Sequence, residues 1–381
     1  MNERCGCVFT IGALINRCAV DRRERTMAGY RTMMALLLTA GSVFQLSESS
    51  VTCKNEEGNE VDWYILYKLP LGYGAGVSYL YMDNSTNGWI KSKTNIGGSP
   101  GTLANTLKPL FDFYDTKTEG FGYILYNDQP PRGENASTSY GHSKGVVMLD
   151  NKTGVWLSHS TPKFPKYRSK KFWPANGKTN GQTFLCVTYS SDQFEEIGLQ
   201  LKYIHPYSFD YAISEFFPDA LRDVAYQIGF PRKSPWFRQT NLNSTGGNIF
   251  SSFAKYTHFN DDLYSGLIVE NMTESLYVRS WGKSGRSSLL PSECNPGTPH
   301  HVYNVKQVKL LKRIWNDTND HSKWCVAPNS GWTCIADLNR HESQKNRGGG
   351  AVCIRNTAVA NAFNTIINKA EPCPPSAKRE L

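Results

Sequence analysis

Short segments rich in aromatic and β-branched residues recur along the chain, separated by clusters of Gly, Pro, Asn and Asp. The segment from Val61 to Lys68 ends before Pro70, and its composition predicts a β-strand. The same pattern predicts further strands at residues 121–126, 145–149, 155–159, 276–281, 302–311, 324–327 and 332–338. We therefore expect a core built mainly of β-sheet.

Apolar residues at helical spacing are fewer. They predict helices over residues 100–111 and 191–203, and a closing helix that Asn356 caps. Residues 163–180, rich in Lys, Pro, Gly and Asn, are predicted to be a loop between two strand-rich regions. The expected fold class is mixed α+β, with sheets flanked by helices.

The first 48 residues differ from the rest of the chain. Arg31 precedes an apolar stretch from Met33 to Phe44, which is too short to span a bilayer and is typical of a signal peptide. We predict that residues 1–48 are a leader; the alternative is a buried N-terminal core helix. No later segment reaches the ~18 apolar residues that a membrane span requires, so no stable membrane insertion is expected.

Sequons and cysteines also indicate the secretory pathway. Ten cysteines are present, and Cys5, Cys7 and Cys18 lie in the predicted leader. The remaining seven predict three disulfides and one free thiol in an oxidising compartment. Glycosylation is expected at six Asn-x-Ser/Thr sequons, at Asn84, Asn135, Asn151, Asn243, Asn271 and Asn316. We predict that the protein is lysosomal or secreted.

The net charge favours a polyanionic partner. The formal charge of the whole chain is +9. Residues 1–48 contain six Lys/Arg and four Asp/Glu, so removing them takes away +2 and leaves +7. A basic surface raises the encounter rate with a polyanion.

Two His-x-Lys pairs are the main candidates for chemistry. His142 and Lys144 stand at the start of one predicted strand, and His321 and Lys323 stand at the start of another. Residues i and i+2 of a strand face the same side, so each pair is expected to project together. The pairs are 179 residues apart, since 321 − 142 = 179. A duplicated half explains this spacing most simply, although one such pair alone would be read as a strand-edge histidine beside a solvated lysine.

Two histidines and two lysines suffice to cleave a phosphodiester. A neutral imidazole can attack phosphorus and form a phosphohistidine, while a protonated imidazole gives its proton to the leaving oxygen and then activates water. The lysines neutralise the phosphate oxygens. This chemistry needs no metal and no cofactor. Which histidine is the nucleophile stays open.

The surrounding motifs resemble a known family. The paired His-x-Lys halves are similar to the phospholipase D superfamily, and nine segments in order over residues 53–373 resemble deoxyribonuclease II. These segments are VDWYILYKLP, LYNDQPP, GHSKGV, HSTPKFP, SFAK, DDLY, DHSKWC, WTCIADLNR and RGGG. Two others, CKNEEG from Cys53 and HVYNVK from His301, look closer to the beta form of the family.

The resemblance implies a fold and an activity. It implies two phospholipase D-like halves, residues 49–195 and 196–381, that form a pseudo-twofold dimer within one chain. It also implies an acid, metal-independent endonuclease that leaves 3′-phosphate and 5′-hydroxyl ends during lysosomal or extracellular DNA degradation. The expected partner is double-stranded DNA, contacted mainly through its phosphates. The resemblance leaves a homodimer open.

The resemblance also implies site residues. It puts His142, Lys144, His321 and Lys323 in one shared site. Phosphate-oxygen donors are expected at Asn339 in the second half and at Ser160 or His159 in the first. An aspartate of the superfamily is missing five residues after each lysine, so the group that orients the histidines is not identified. The disulfides implied are Cys53–Cys186, Cys294–Cys373 and Cys334–Cys353, which leave Cys325 free.

Other features have ordinary alternatives. Arg347 and the three glycines after it could cradle a phosphate through backbone N–H groups or form a tight turn. Asp261 and Asp262 could bind a metal or form an acid/base pair but are read as solvated caps at a helix start or turn, and no metal site is predicted. The alternative functions are a phospholipase D-type lipid phosphodiesterase and a catalytically inactive secreted protein that binds DNA or glycans.

Overall fold

A computed structural model of the chain describes residues 50–133, 135–283, 285, 287–294 and 299–373. The predicted leader over residues 1–48, including its signal peptide, lies outside the described residues. Across the described ranges, no helix combines the length and the apolar character needed to cross a membrane.

The first half of the described chain supplies an eight-stranded antiparallel sheet. A two-stranded ribbon, β1 (Cys53–Lys54) with β2 (Glu60–Val61), precedes it. The sheet strands are β3 (Trp63–Lys68), β4 (Tyr79–Asp83), β5 (Ile90–Lys91), β6 (Gly122–Asn127), β7 (Lys144–Leu149), β8 (Thr153–His159), β9 (Gln182–Ser190) and β10 (Ser208–Ala212). Their order across the sheet is β10-β6-β7-β8-β9-β3-β4-β5.

The second half supplies a nine-stranded sheet. Its strands are β11 (Phe237–Asn243), β12 (Ile249–Lys255), β13 (Leu276–Arg279), β14 (Val302–Leu310), β15 (Arg313–Asn316), β16 (Trp324–Ala327), β17 (Trp332–Ala336), β18 (Gly349–Arg355) and β19 (Ile367–Ala370). The order is β11-β12-β18-β17-β16-β13-β14-β15, and β19 pairs with β14. Only β13 and β14 pair in parallel among the described strands.

Five strands of each sheet have the same arrangement. The order β6-β7-β8-β9-β3 in the first sheet corresponds to β13-β16-β17-β18-β12 in the second, and every neighbouring pair in both runs is antiparallel. The register also agrees. The residue after the first His-x-Lys, Gly145, pairs with Ser158, the second-last residue of β8. The residue after the second, Trp324, pairs with Ile335, the second-last residue of β17.

Six α-helices pack against the sheets within the described residues. They are α1 (Thr102–Thr106), α2 (Lys108–Thr116), α3 (Phe194–Ile204), α4 (Asp219–Tyr226), α5 (Val269–Met272) and α6 (Thr357–Asn364). Successive residues of β6 enter different cores, as the two-residue period of a strand requires. Ile124 joins a core shared by both sheets, whereas Leu125 joins an outer core beside α1 and α2. The shared core also contains Val326 and Val352 of the second sheet.

Most predicted elements are present. Each predicted strand overlaps a strand of the structure, and the Asn356 side chain accepts hydrogen bonds from the backbone N–H groups of Ala358 and Val359 at the start of α6. Asp262 accepts from the N–H groups of Tyr264 and Ser265 as a cap does, but it is buried beside Arg340 rather than solvated as predicted.

Three local predictions were wrong. The single helix over 100–111 is two helices, because Pro109 has no N–H and is accommodated only in the first turn of α2. The loop over residues 163–180 does not separate two regions, since β9 follows it and belongs to the first sheet. The histidines of both His-x-Lys pairs lie in loops before β7 and β16 rather than within the strands.

The expected boundary at residues 195/196 falls inside α3, and β10 after that helix pairs with β6. The chain passes from one sheet to the other between Ala212 and Phe237. The division into two halves at 195/196 stays a prediction.

Within the described residues three disulfides stabilise the fold, and they join the pairs that the resemblance implies. Cys53–Cys186 ties β1 to β9, Cys334–Cys353 joins β17 to β18, and Cys294–Cys373 links two loops. Cys325 on β16 is free and buried.

We expect the Cys53–Cys186 bond to contribute more to stability than the Cys334–Cys353 bond. It joins residues 133 apart in sequence, against 19 for the other bond, and a larger loop restricts the unfolded chain more. Replacing both cysteines of the long-range pair by Ser should lower the free energy of unfolding by about 3 to 5 kcal/mol. Urea unfolding of the two double mutants gives the comparison, and an equal or smaller loss for the long-range pair would contradict it.

Candidate active site

The loop before β7 is held in place by the second half of the chain. The backbone N–H of His142 donates to the carbonyl oxygen of Gly348 at 2.9 Å, and that of Gly141 donates to the carbonyl oxygen of His205 at 2.7 Å. Both glycines are required for this approach. A Cβ on Gly141 would lie 2.1 Å from the carbonyl oxygen of Ile204, and one on Gly348 would lie 2.3 Å from the same atom.

The glycines after Arg347 therefore serve chain packing. The carbonyl of Gly348 faces His142, and the N–H of Gly350 donates to the Asp337 carboxylate at 2.9 Å. The N–H of Gly350 is therefore engaged inside the protein and is not free to donate to a phosphate.

The His142 ring has a defined tautomer. Its Nδ1 lies 3.0 Å from the carbonyl oxygen of Asp337, and because a carbonyl only accepts, Nδ1 must carry the proton. The lone pair is then on Nε2, which lies 4.0 Å from a carboxylate oxygen of Asp128. The side chain keeps 16% of its surface exposed, and His142 lines the cleft described below. Burial and the charge of Lys144 lower the pKa of His142 well below its usual value.

Asp128 forms ion pairs with the cationic side chains around His142. Its carboxylate accepts from the Lys144 ammonium and, at 3.2 Å, from the Arg347 guanidinium. Burial alone would raise the pKa of Asp128, but the charges of Lys144, His142 and Arg347 keep that pKa below its usual range. Asp128 is therefore a carboxylate in the folded protein. Arg347 also donates to the carbonyl oxygen of Tyr140.

The loop that carries His321 is held by the first half of the chain. The N–H of His321 donates to the carbonyl oxygen of Gly181 at 2.9 Å, which mirrors the bond from His142 to Gly348. The Asn180 amide lies 3.1 Å from Nε2 of His321, and the Trp281 ring packs edge-on at 4.5 Å between centroids. Burial, followed by the charges of Lys323 and Lys144, lowers the pKa of His321 to about 3.

Lys323 and Asp320 flank that histidine. The Lys323 ammonium donates to the carbonyl oxygen of His321 at 2.8 Å, and burial with the charge of Lys144 lowers the pKa of Lys323 to about 7. The Asp320 carboxylate is fully buried and accepts from Tyr67 at 2.6 Å, Trp315 at 2.8 Å and Arg279 at 2.9 Å. Asp320 thus anchors the His321 loop to both sheets, because Tyr67 belongs to β3 and Arg279 to β13.

The two His-x-Lys pairs lie close enough for their charges to interact. The charge of Lys144 lowers the pKa of both histidines, and the charge of Lys323 acts on His142. A cleft of about 410 Å³ opens beside them. Among the residues that line it are His142, Asp128, Arg347, Asn339 and Trp281, the last of which contacts His321.

The expected phosphate donors have different positions. Asn339 lines the cleft, and its side-chain oxygen accepts from the backbone N–H of Trp281 at 3.1 Å. Ser160 is buried and donates to the Gln182 amide oxygen at 2.6 Å. His159 is buried between the Phe164 and Phe184 rings. Of the three, only Asn339 is among the residues lining this cleft.

Sequon asparagines are exposed at all six expected positions, and Asn135 lines the rim of the cleft.

No group of three or more His, Cys, Asp or Glu residues suited to a metal ion occurs among the described residues.

Sequence reasoning missed several residues of the site. Asp128, Asn180 and Trp281 contact the histidines, and Asp337 supplies the carbonyl that orients His142. Asp128 lies within the LYNDQPP segment, so that motif contained a usable signal. Asn180 and Asp337 are separated from their histidines by 141 and 195 residues, and no local pattern reveals such contacts.

Comparison with known proteins gives one family. The family model described as Deoxyribonuclease II matches residues 52–373. The chain is 37% identical to Deoxyribonuclease-2-alpha of Mus musculus, covering 90% of this chain and 98% of that protein. It is 38% identical to Plancitoxin-1 of Acanthaster planci (90% and 98%) and 34% identical to Deoxyribonuclease-2-beta of Homo sapiens (92% and 99%). These identities do not favour the beta form.

Proposed function

Because the chain belongs to the deoxyribonuclease II family, we propose that it is a hydrolase that cuts DNA phosphodiester bonds with His142, Lys144, His321 and Lys323. The observation that carries this proposal is that two half-buried histidines, each in a loop tied to the other half by a backbone hydrogen bond, lie near two buried lysines whose charges act on both rings. Such a set supplies a nucleophile, a proton donor and positive charge for the phosphate oxygens. The reaction therefore proceeds without a metal.

His142 is the nucleophile in this proposal. Its Nδ1–H bond to the Asp337 carbonyl leaves the Nε2 lone pair free to attack phosphorus. A bond forms between Nε2 and phosphorus while the bond from phosphorus to the 5′ oxygen breaks. His321, protonated in the DNA complex, gives its proton to that oxygen. The products of this step are a 5′-hydroxyl end and a phosphohistidine that carries the 3′ side of the strand.

Hydrolysis of the intermediate completes the cycle. His321, now neutral, takes a proton from water as the water oxygen attacks phosphorus. The bond between phosphorus and Nε2 of His142 breaks, which leaves a 3′-phosphate end and restores the histidine. Lys144 and Lys323 stabilise the charge on the phosphate oxygens in both steps. The cleft-lining Arg347 and Asn339 are placed to assist at the same oxygens.

The substrate is double-stranded DNA, gripped through its phosphates. Arg347 and Lys283 line the cleft, and cationic side chains bind the DNA backbone whatever its sequence. The matching strand orders of the two sheets support two phospholipase D-like halves with one shared site. The six sequons and the disulfides support passage through the secretory pathway to a lysosome or out of the cell.

The function can be tested with plasmid DNA in EDTA at acid pH. We expect nicking and then linearisation, with 3′-phosphate and 5′-hydroxyl ends identified by whether a polynucleotide kinase labels the 5′ ends without prior phosphatase treatment. Phosphatidylcholine vesicles serve as the parallel substrate. Cleavage of the lipid but not of the plasmid would establish the lipid phosphodiesterase instead, and binding of DNA without cleavage would establish an inactive binding protein. A requirement for Mg²⁺, or 5′-phosphate ends, would contradict the mechanism.

A further inference from the structure

Two buried lysines occupy matching places in the two sheets. Lys68 is the last residue of β3 and pairs with Gln182, the first residue of β9. Lys255 is the last residue of β12 and pairs with Gly349, the first residue of β18. Because β3 corresponds to β12 and β9 to β18, the two lysines are equivalent. Both are completely buried, which is rare for a lysine.

Each ammonium donates to carbonyl oxygens of one turn. Lys68 donates to the carbonyl of Lys178 at 3.1 Å. Lys255 donates to the carbonyl of Lys345 at 2.8 Å, and also to those of Gln344 and Arg347 at 3.2 and 2.8 Å. Carbonyl acceptors solvate a buried ammonium less completely than water does, so neither position is explained by stability alone.

Each of these turns leads directly into a contact with a catalytic loop of the other half. Lys178 is three residues before Gly181, whose carbonyl accepts from the N–H of His321. Lys345 is three residues before Gly348, whose carbonyl accepts from the N–H of His142. The last residue before each glycine also reaches the site. Asn180 contacts the His321 ring, and Arg347 contacts Asp128.

We propose that Lys68 and Lys255 are positioning residues that fix His321 and His142, respectively, by holding these two turns. Each lysine acts across the interface, because it belongs to one sheet and the histidine it positions precedes a strand of the other. This inference rests on the proposed function and adds two residues to it that do not touch the substrate.

The inference predicts a loss of turnover rather than of binding. Misplacing a reacting group by about 1 Å costs about 10²-fold in rate, so Lys68→Met and Lys255→Met should each lower kcat on plasmid by about 10- to 100-fold in EDTA at acid pH, with KM changed less than about threefold. Lys202→Met is the matched control. Lys202 is a partly buried lysine on α3 whose partner is Asp223, and its loss should leave kcat unchanged.

The pH profile separates the two lysines. The groups whose charges act on His321 are Lys323, Lys144, Asp320 and Lys68, and the charge of Lys68 lowers its pKa. Lys68→Met should therefore raise the pKa of His321. The alkaline limb, the fall in rate at high pH where His321 loses its proton, should then move to higher pH. The charges that act on Lys255 are those of Asp262 and Asp261, so Lys255→Met should lower kcat without that displacement. A purely structural role would leave kcat of the folded fraction unchanged, whereas the displacement of the limb in Lys68→Met reports the lost charge beside His321.

Failure of the proposed function and failure of the positioning role give different results. A wild-type enzyme that does not cleave DNA in EDTA refutes the proposed function itself. An active wild type whose Met variants keep kcat within about threefold refutes the positioning role alone. If a Met variant does not fold, Lys68→Gln and Lys255→Gln retain an N–H donor. Their amide N–H donor sits on a shorter, uncharged side chain, so we expect a smaller loss of kcat than the 10- to 100-fold given above, and unchanged kcat in both folded Gln variants would overturn the inference.

Discussion

His142→Ala and His321→Ala are each expected to lower kcat on plasmid DNA by at least about 10³-fold, since both imidazoles are needed in one cycle. Each ring is half-buried, and its loop is held by a backbone bond, from His142 to Gly348 and from His321 to Gly181. Removing a ring leaves those bonds intact, so both variants should fold. Circular dichroism and thermal unfolding check the fold, and plasmid nicking checks the activity.

The control is His258→Ala. His258 is exposed and packs against the Trp236 and Tyr256 rings, so its loss should leave activity unchanged. Near-wild-type nicking by a folded His142 or His321 variant would show that the two histidines do not form one site.

A substrate with a good leaving group separates the roles of the two histidines. A p-nitrophenyl phosphodiester expels an anion that needs no proton, so it no longer requires a general acid for the first step. His321→Ala should recover part of its activity on this substrate in a burst that forms the phosphohistidine, whereas His142→Ala should recover none. A larger recovery by His142→Ala would reverse the assignment of nucleophile and acid.

The sequence predicted the parts of this site that have local signals. The His-x-Lys pairs stand out because they recur in similar context before strands, and the strands themselves follow from aromatic and β-branched composition. The closing helix was predicted because Asn356 is a side-chain cap, and it accepts the two N–H groups that the prediction requires.

The parts that were not predicted depend on long-range contacts. His142 is oriented by a carbonyl 195 residues away, and any residue type supplies a backbone carbonyl. The glycines at 141 and 348 are needed only because both approach the Ile204 carbonyl, a close contact that exists only once the two sheets have packed. Disulfide pairing was likewise implied by the family resemblance, since spacing alone leaves many pairings open.

The roles of the two buried lysines also depend on long-range contacts, so the sequence alone did not predict them. Lys68 ends one apolar strand and Lys255 ends another, and a lysine at a strand end is usually solvated. Their equivalence is visible only in the pairing of β3 with β9 and of β12 with β18.

Activity is expected to peak on the acid side of neutrality. His142 must be neutral to attack, and its lowered pKa keeps it neutral down to acid pH. His321 must be protonated when the leaving oxygen departs, and burial with two lysines opposes that proton, while a bound phosphate favours it. The alkaline limb therefore reports loss of the proton from His321 in the DNA complex. We expect the rate at pH 8 to be at least about 10²-fold below that at the optimum.

Ionisation of Asp337 is a second expected cause of the alkaline limb, and the Asp337→Asn variant tests it directly. Burial raises the pKa of Asp337 to about 7, and the charge of Asp128 contributes in the same direction. The Gly350 N–H bond and the charges of Lys144 and Lys323 oppose this rise. The carboxyl is thus neutral at acid pH and gains a negative charge above neutrality, which offsets the lysine charges that bind phosphate. Asp337→Asn keeps an acceptor for Gly350 and leaves the backbone carbonyl that binds His142, but it cannot ionise. This variant should match wild type at pH 5 and retain more activity than wild type between pH 6 and 8. An alkaline limb identical to that of wild type would exclude the Asp337 contribution, and a neutral or alkaline optimum in the wild type would overturn the acid mechanism.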